Sequence, residues 1–269
     1  MVEKTKNQGI IDYKKLVIFN LERRMKNMRF KIACEITEGE AFSQDYRRNI
    51  LRMLKTGLDR YEDIFENFFG SNKLKKYCWS VYFKNSIFQG DKIYLQGEKK
   101  EFFINFSVFD NGDAMNIFNA FMNIKYREID ISKELRVKVS NVIKLPTKEV
   151  SGEFFRAKVM SPIICRDHNQ ETGKDSYYTG SEEEFIPIIK RNLYLEMREK
   201  YGDYVERDIE KLVIETKELK KTVSKFYGKL IDGSIGIIEL QGKNYLLNYI
   251  YSTGLGSIRG SGYGLLEIV

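Results

Sequence analysis

Eleven consecutive residues near the end of the sequence, GLGSIRGSGYG at 254 to 264, contain five of its twenty glycines. Glycine leaves its backbone amides unshielded and can adopt positive φ, so that a phosphate can approach the main chain closely. Two hydroxyls and a guanidinium stand between the glycines, and such groups contact phosphodiester oxygens. The predicted phosphate-binding residues of this glycine-rich segment are Gly254, Gly256, Ser257, Arg259, Gly260, Ser261, Gly262 and Gly264. A plain flexible loop is the alternative.

The place of the glycine-rich segment excludes two common nucleotide-binding motifs. The glycines of a dinucleotide fingerprint follow a strand and open a helix, whereas these glycines are expected to lie between a helix and a strand. The sequence also contains no Gly-Lys-Ser or Gly-Lys-Thr, which a P-loop requires. We therefore expect no nucleotide cofactor.

A second group of cations has helical spacing. Arg48, Arg52 and Lys55 follow one another at intervals of four and three residues, which places them on one face of a helix. A stripe of apolar residues, beginning with Leu51, lies on the opposite face. The cations form either an ordinary solvated face or a track for a nucleic-acid backbone. Further predicted nucleic-acid contacts are Arg47, Arg166 and Lys174.

Charge and composition favour a polyanionic partner. The chain has 45 Lys and Arg against 38 Asp and Glu, a net charge of +7, and 13% of its residues are aromatic. A basic surface rich in Tyr and Phe suits nucleic acid, because bases stack on aromatic rings. The 269 residues, 42% of them hydrophobic, are typical of a folded protein. No apolar run is long enough to span a bilayer, so we expect no membrane partner.

Metal-binding and redox residues are sparse. His168 is the only histidine, and Cys34, Cys78 and Cys165 are far apart and form no CxxC pair. We therefore expect no metal site, and buried free thiols in a reducing compartment. The N-terminus shows no export signal, which agrees with a cytoplasmic location.

The candidate residues must be positioned by a regular succession of strands and helices. Alternating residues predict a strand at 29–37, and apolar spacings of three and four after the N-cap Ser43 predict one long helix that Gly70 ends. Strands are expected at 77–83, 92–96, 102–109 and 135–144, with a short helix at 114–122. Apart from one extra strand, the order is strand, helix, two strands, helix, strand.

The second half repeats this order. We expect a strand at 154–165, a helix at 185–201, a hairpin of 225–231 and 235–241 turned by Asp232-Gly233-Ser234, a short helix near 246–250 and a closing strand at 263–269. Two βαββαβ units predict an α+β protein of two tandem ferredoxin-like domains, at 28–147 and 153–269. Residues 1–27 fit neither domain. They are either an upstream mis-start or a segment that docks on the body.

Several sequence stretches together resemble a known family. The most specific is GLGSIRGSGYGLLEI at the C-terminus, and the supporting matches are DYRR at 45–48, which includes Arg47, YCWSVYF at 77–83, SPIICRDHN at 161–169 and KDSYY at 174–178. From about Met28 onward the chain resembles the CRISPR-associated endoribonucleases that process precursor CRISPR RNA, the sixth family of Cas proteins.

The resemblance implies metal-independent cleavage within CRISPR repeats. The ribose 2′-hydroxyl attacks the adjacent phosphate and leaves a 2′,3′-cyclic phosphate and a 5′-hydroxyl. The implied partners are CRISPR repeat RNA and other Cas proteins of an interference complex. The sequence leaves the oligomeric state open, a homodimer included.

The chain departs from the family at its usual catalytic histidine. Many members have one near the end of the first long helix, where this chain has RYEDIFENFFGSNKLKK. The attack needs a proton acceptor, a proton donor and a cation beside the phosphate. His168, between Arg166 and Lys174 in a predicted loop, is the first candidate for proton transfer, and Tyr46 is the second. Lys55, or a lysine at 73–76, is the candidate cation.

Two alternatives to a cleaving enzyme follow from the missing histidine. The chain is then either a catalytically silent RNA-binding subunit of an RNA-guided complex, or a general structured-RNA-binding protein. A surface histidine without a catalytic role is the plain interpretation of His168, and a packing role is the plain interpretation of Tyr46.

Overall fold

The computed structural model describes residues 27–70 and 74–269. The predicted extension at 1–27, except Asn27, and Lys73 therefore lie outside the described residues. The strands of the N-terminal half are β1 Met28–Glu38, β2 Ala41–Ser43, β3 Tyr77–Phe83, β4 Ser86–Gln89, β5 Lys92–Leu95, β6 Glu101–Val108, β7 Glu128–Asp130 and β8 Arg136–Leu145. Its helices are α1 Arg47–Leu58, α2 Glu62–Phe65 and α3 Asn111–Asn123.

The N-terminal half is built on an antiparallel sheet with the strand order β3-β6-β1-β8-β7. Alternate residues of β1, among them Phe30 and Ile32, are buried in a core shared with α1 and α3. These two helices approach closely at Gly57, where a Cβ atom would lie 2.3 Å from the carbonyl oxygen of Ala120. The apolar stripe of α1 is thus turned into the core, and its cationic face is left at the surface.

The second half contains the remaining elements. Its strands are β9 Phe154–Val159, β10 Cys165–His168, β11 Asp175–Tyr178, β12 Val213–Glu215, β13 Leu219–Phe226, β14 Lys229–Gln241 and β15 Leu266–Ile268. Its helices are α4 Phe185–Tyr201, α5 Val205–Glu210 and α6 Asn244–Thr253.

The main sheet of the second half has the strand order β12-β14-β9-β15, and β13 pairs with β14 beside it. β10 and β11 form a separate two-stranded hairpin. The buried face of α4 includes Phe185, Ile189, Leu193 and Met197, the residues whose spacing predicted this helix. This half has its own apolar core.

The α+β class is confirmed, and the N-terminal half contains the predicted order of main strands and helices. In the second half β12 takes the place in the sheet that was predicted for a strand at 225–231, and the strand predicted at 154–165 is divided between β9 and β10. The single helix predicted from Ser43 to Gly70 is wrong in extent. Ser43 ends β2, α1 begins at Arg47 behind the N-cap Tyr46, and a break after Leu58 separates α1 from α2 and a π-helical turn, Glu66–Gly70. Apolar spacing alone does not reveal such a break, because all these segments face the same core.

The predicted hairpin turn at Asp232-Gly233-Ser234 is also wrong. The turn lies at Tyr227 and Gly228, both with positive φ, and β14 runs without interruption through Gly233. A Cβ atom on Gly233 would lie 2.7 Å from the side chain of Ile164. The glycine there serves close packing inside a strand rather than a turn.

The two halves meet along a seam formed by β1, β3 and β6 on one side and by α6, β15 and the glycine-rich segment on the other. Arg29 is buried in it. Its guanidinium contacts the carboxylate of Glu267 at 2.6 Å, donates to the carbonyl oxygen of Leu266 at 2.8 Å and lies 3.9 Å from the ring centre of Tyr251. Ser107 of β6 donates to the carbonyl oxygen of Ser252 at 2.8 Å. Polar side chains therefore fix how the halves face each other.

Candidate active site

A cleft of about 790 Å³ lies between the halves. We call it the His168 cleft. Its walls come from α1, the segment before β3, β10, α4 and the glycine-rich segment. The charged, imidazole and hydroxyl side chains along it are those of Lys55, Lys75, Arg166, His168, Arg191, Glu196, Ser257, Arg259 and Ser261.

His168 ends β10 rather than lying in the predicted loop, and it is paired across the hairpin with Asp175. The imidazole Nδ1 lies 2.8 Å from the Asp175 carboxylate, and the guanidinium of Arg166 lies 3.5 Å from the other oxygen of that carboxylate. About half of the His168 side chain is exposed, so that it can meet a ligand in the cleft.

The charge state of Asp175 decides which ring nitrogen of the neutral His168 imidazole carries the proton. Desolvation raises the pKa of this carboxyl, but the hydrogen bond with His168 and the charge of Arg166 outweigh it, so the pKa of Asp175 is lowered from its usual value. The carboxylate is therefore ionised near neutral pH and accepts only, which makes Nδ1 of His168 the donor. In the neutral imidazole, Nε2 is then the nitrogen that is free to accept a proton.

Lys55 reaches the same cleft from the other half. It lies on the exposed face of α1, and its Nζ lies 4.9 Å from the ring centre of Phe69. The cation and the imidazole are thus supplied by elements more than one hundred residues apart in sequence. No pattern of local spacing could bring them together.

A second cavity of about 900 Å³ lies along α1 and shares Leu51, Lys55 and Tyr227 with the His168 cleft. We call it the α1 groove. Its cations include the predicted Arg48 and Arg52, together with Lys92, Lys133 and Lys225. The cationic face of α1 therefore borders a cavity, and the cavity adjoins the cleft that contains His168.

The glycine-rich segment has one face in the cleft and one in the seam. Gly256, Ser257, Gly260 and Ser261 are partly exposed and line the cleft. Ser257 Oγ also accepts from the backbone N–H of Arg166 at 3.4 Å, which ties the segment to β10.

The predicted phosphate contact by Arg259 is contradicted by its surroundings, since only 6% of this residue is exposed. Its guanidinium lies 2.5 Å from the Glu196 carboxylate and also donates to Thr253 Oγ1 at 3.0 Å. Burial alone would lower the pKa of Arg259, but the charge of Glu196 outweighs it and raises the pKa. Tyr249 donates to the same carboxylate at 2.5 Å. Arg259 is therefore committed to an internal ion pair.

Gly254, Gly262 and Gly264 also face inward, in place of the predicted approach to RNA. All three have positive φ, and a Cβ atom on Gly262 would lie 2.6 Å from the indole of Trp79. The carbonyl oxygen of Gly262 accepts from Arg47 Nε at 3.1 Å, and that of Gly260 from Trp79 Nε1 at 2.9 Å. The bare backbone thus packs against protein.

Arg47 and Tyr46 are likewise turned away from the cleft. Arg47 is buried, with its guanidinium 4.1 Å from the ring centre of Tyr263, so its predicted RNA contact is wrong. Tyr46 packs edge-on against Phe83 at 4.9 Å and is not among the described residues that line either cavity. Lys174 is exposed in the β10–β11 turn and is also outside both linings.

The sequence reasoning missed three residues of the site. Arg191 lines the cleft from α4 and contacts Asp167 at 2.8 Å, and its place opposite the apolar stripe of that helix was the available signal. Asp175 lies within the KDSYY stretch but had been given no role. Tyr227 lines both cavities from a turn that had been predicted elsewhere.

Two other kinds of site are absent from residues 27–70 and 74–269. No three His, Cys, Asp or Glu side chains there form a group that could hold a metal ion. No helix in that part of the chain is long and apolar enough to cross a membrane.

Comparison with known proteins gives a family match in the second half. Residues 145–268 match the model of a family described as CRISPR associated protein Cas6, C-terminal. This range includes β10, α4 and the glycine-rich segment, and therefore most of the His168 cleft. No curated protein sequence matches the chain.

Solved structures share the fold over most of the chain. A Cas6-related protein from Pyrococcus furiosus is 18% identical with a TM-score of 0.75, over 91% of this chain and 99% of that one. A RAMP protein described as binding different RNA substrates is 20% identical with a TM-score of 0.74, over 90% and 99%. The product complex of a Cas6 from Thermus thermophilus is 11% identical with a TM-score of 0.67, over 91% and 100%. At these identities the likeness establishes the fold.

Proposed function

We propose that this protein is an endoribonuclease that cleaves precursor CRISPR RNA within its repeats, because residues 145–268 match the model of the Cas6 C-terminal family and 91% of the chain shares the fold of the Cas6-related and Cas6 structures. The scissile phosphate lies in the His168 cleft. The RNA 2′-hydroxyl attacks that phosphate, and the products carry a 2′,3′-cyclic phosphate and a 5′-hydroxyl. The reaction needs no metal ion, because the nucleophile belongs to the RNA.

The observation that carries the proposal is the meeting of His168 and Lys55 in one cleft with the exposed part of the glycine-rich segment. His168 supplies an imidazole whose Nε2 can accept a proton. Lys55 supplies a positive charge that stabilises the pentavalent phosphate. Ser257 and Ser261 supply hydroxyl donors for phosphate oxygens. These groups supply the proton acceptor and the cation that an in-line attack by a 2′-hydroxyl requires, and the departing 5′-oxygen takes its proton from water.

His168 acts as the general base. Asp175 holds Nδ1–H of the imidazole, which leaves Nε2 to take the proton of the 2′-hydroxyl. Arg166 keeps the Asp175 carboxylate charged and also adds positive charge to the wall of the cleft. This pairing of an imidazole with an oriented carboxylate compensates for the histidine that is missing from the first helix region.

The α1 groove binds the RNA backbone that leaves the cleft. Arg48, Arg52 and Lys225 line it, and Lys55 lies where it adjoins the cleft. Phosphate contacts by such side chains give binding that weakens steeply with salt. The partners that follow from this function are CRISPR repeat RNA and the Cas proteins of an interference complex, which receive the mature RNA.

The test uses RNA with the repeat of the CRISPR array nearest to the gene. The protein should cut it at one position, in excess EDTA, and leave a cyclic phosphate. The same RNA with 2′-deoxyribose at the scissile nucleotide should bind with unchanged affinity and remain intact. Cleavage of the deoxy substrate would overturn the mechanism.

A catalytically silent RNA-binding subunit is the second candidate, and one observation favours it. Tyr46, the second candidate for proton transfer, packs against Phe83 instead of facing the cleft. Tight binding of repeat RNA without a cut over many hours would establish this candidate. Equal affinity for repeat RNA and unrelated structured RNA would instead indicate a general structured-RNA-binding protein.

We also interpret the halves as two ferredoxin-like domains, divided as predicted at 28–147 and 153–269. The support is the strand order. In each half the four main strands of the sheet run in the order second, third, first, fourth. Each half also has its own apolar core. Separate expression of 153–269 would test the division, since the seam would then expose Tyr251 and Tyr263.

A further inference from the structure

Tyr227 occupies an unusual position in the turn between β13 and β14. Tyr227 and Gly228 have φ of 48° and 78°, so the two-residue turn places both in the left-handed region. Such turns favour Asn, Asp or Gly, because a larger side chain there strains the backbone. The turn after β3 has Asn85 at the same φ of 48°. A tyrosine at this position is therefore unfavourable for the turn itself.

The turn is anchored on the other half of the molecule. The carboxylate of Asp45 accepts from the backbone N–H groups of Tyr227 at 3.1 Å and of Gly228 at 3.0 Å. Lys225 contacts the carboxylate of Asp91 at 3.0 Å. These contacts hold the tip of the hairpin above the start of α1, at the junction of the His168 cleft and the α1 groove.

The anchoring uses the backbone of Tyr227 and leaves its ring available. The residue is 56% exposed and lines both cavities. Phe226 packs edge-on against the ring at 4.7 Å, and the guanidinium of Arg48 lies 5.1 Å from its centre. An exposed ring beside a cation is an arrangement on which unpaired bases stack.

We propose that Tyr227 is a stacking platform for one unpaired nucleobase of the RNA, at the point where the strand passes between the His168 cleft and the α1 groove. This inference rests on the proposed function, which supplies RNA as the ligand, and adds that the protein selects RNA with an unpaired base at this junction. A base in the interior of a duplex is already stacked on both faces and cannot stack on the ring, so no duplex continues through this junction. Arg48 contacts the same base or its phosphate.

The chain provides a matched control in Tyr126. This residue also has a positive φ, 64°, and is 70% exposed, with the Nζ of Lys125 lying 4.8 Å from its ring centre. It is absent from the described linings of both cavities. Tyr126 therefore reproduces the strain, the exposure and the neighbouring cation of Tyr227 but not its location.

The experiment measures binding of a 20-nucleotide oligoadenylate RNA to Tyr227→Asn, Tyr227→Trp and Tyr126→Asn. Asn suits the turn, so Tyr227→Asn should melt no lower than the wild type. Its affinity should fall roughly 5- to 100-fold, which is the range for one lost base stack. Tyr227→Trp and Tyr126→Asn should stay within about threefold of the wild type. The salt dependence should be unchanged in all three, because no phosphate contact is removed.

A 2-aminopurine placed along the repeat RNA, whose sequence gives it one register on the protein, locates the stacked base. Its fluorescence should be quenched at one position by the wild type and recover in Tyr227→Asn. Wild-type affinity of Tyr227→Asn overturns the stacking platform and leaves the proposed function standing. Failure of the wild type to bind both the oligoadenylate and the repeat RNA overturns the proposed function itself. If Tyr227→Asn melts lower than the wild type, Tyr227→Leu takes its place in the same comparison.

Discussion

The His168 cleft and the seam between the halves are made from the same kinds of residue, arginine, glycine, serine and aromatic rings, but they differ in what those residues contact. In the seam, Arg259 and Arg29 are buried against carboxylates. Beside the cleft, Arg48 and Arg52 are exposed on a helix. One segment, Gly254 to Gly264, contributes to both regions. Residue type therefore does not distinguish a ligand contact from a structural one, whereas burial and the partner do.

Gly262→Val should produce the largest effect, because it disrupts the seam. The valine would have to adopt a φ of 92° and would overlap the indole of Trp79. We expect no folded protein at 25 °C, as judged by circular dichroism. Gly152→Val is the control, since open space surrounds that glycine. A folded Gly262→Val with weakened RNA binding would instead show that the backbone at Gly262 contacts the RNA.

Arg259→Ala should cost about 3–5 kcal/mol of unfolding free energy, because it leaves the Glu196 carboxylate buried without its partner. Urea unfolding gives the value. Arg259→Ala combined with Glu196→Ala should be less destabilised than the sum of the two single variants. A stable Arg259→Ala whose RNA affinity and salt slope both fall would place Arg259 among the phosphate contacts after all.

His168→Ala tests the cleft side of the comparison. The single-turnover cleavage rate should fall about 10²-fold, roughly 2.7 kcal/mol, with RNA affinity and melting temperature unchanged. Asp175→Asn should lower the rate less and shift its pH profile, because the charged carboxylate is lost while the hydrogen-bond geometry remains. A His168→Ala enzyme as fast as the wild type rules out the assignment.

Arg52→Ala should have the smallest effect. Removal of one exposed phosphate contact should weaken RNA binding up to about tenfold and reduce the salt slope by about one, without a change in melting temperature. Arg47→Ala is its buried counterpart, and should lower the melting temperature because Gly262 and Tyr263 lose a contact. Identical behaviour of the two variants would remove the distinction between groove and seam.

The regular elements were predictable from local periodicity, since α4 and β1 bury the residues that their spacing indicates. The residue types also showed which side chains are charged and where glycines leave the backbone amides unshielded. Neither periodicity nor residue type tells which group a side chain contacts in the folded protein. Arg47 and Arg48 are adjacent in sequence, and the turn of α1 alone sends one into the seam and the other into solvent. The ion pair of Arg259 depends on Glu196, which comes from another helix.

The pairing of His168 with Asp175 could not be predicted from the sequence for a different reason. It depends on the register of the β10–β11 hairpin, and a shift of one residue would place Asp175 on the other face. Tyr227 was missed because Asp-Gly-Ser at 232–234 is a stronger turn signal than Tyr-Gly. Gly233 instead lies against Ile164. Tertiary packing around Gly233 therefore overrode the local turn preference.

The glycine-rich segment follows, in the chain, every other element that lines the His168 cleft. Ribosomes synthesise the chain from the N-terminus, and the earlier parts of a protein fold first. Until this segment has emerged, Trp79 and Arg47 lack their carbonyl partners at Gly260 and Gly262, and the cleft lacks its floor. A nascent chain therefore still lacks the serines of this segment, to which the proposed function assigns contacts with phosphate oxygens.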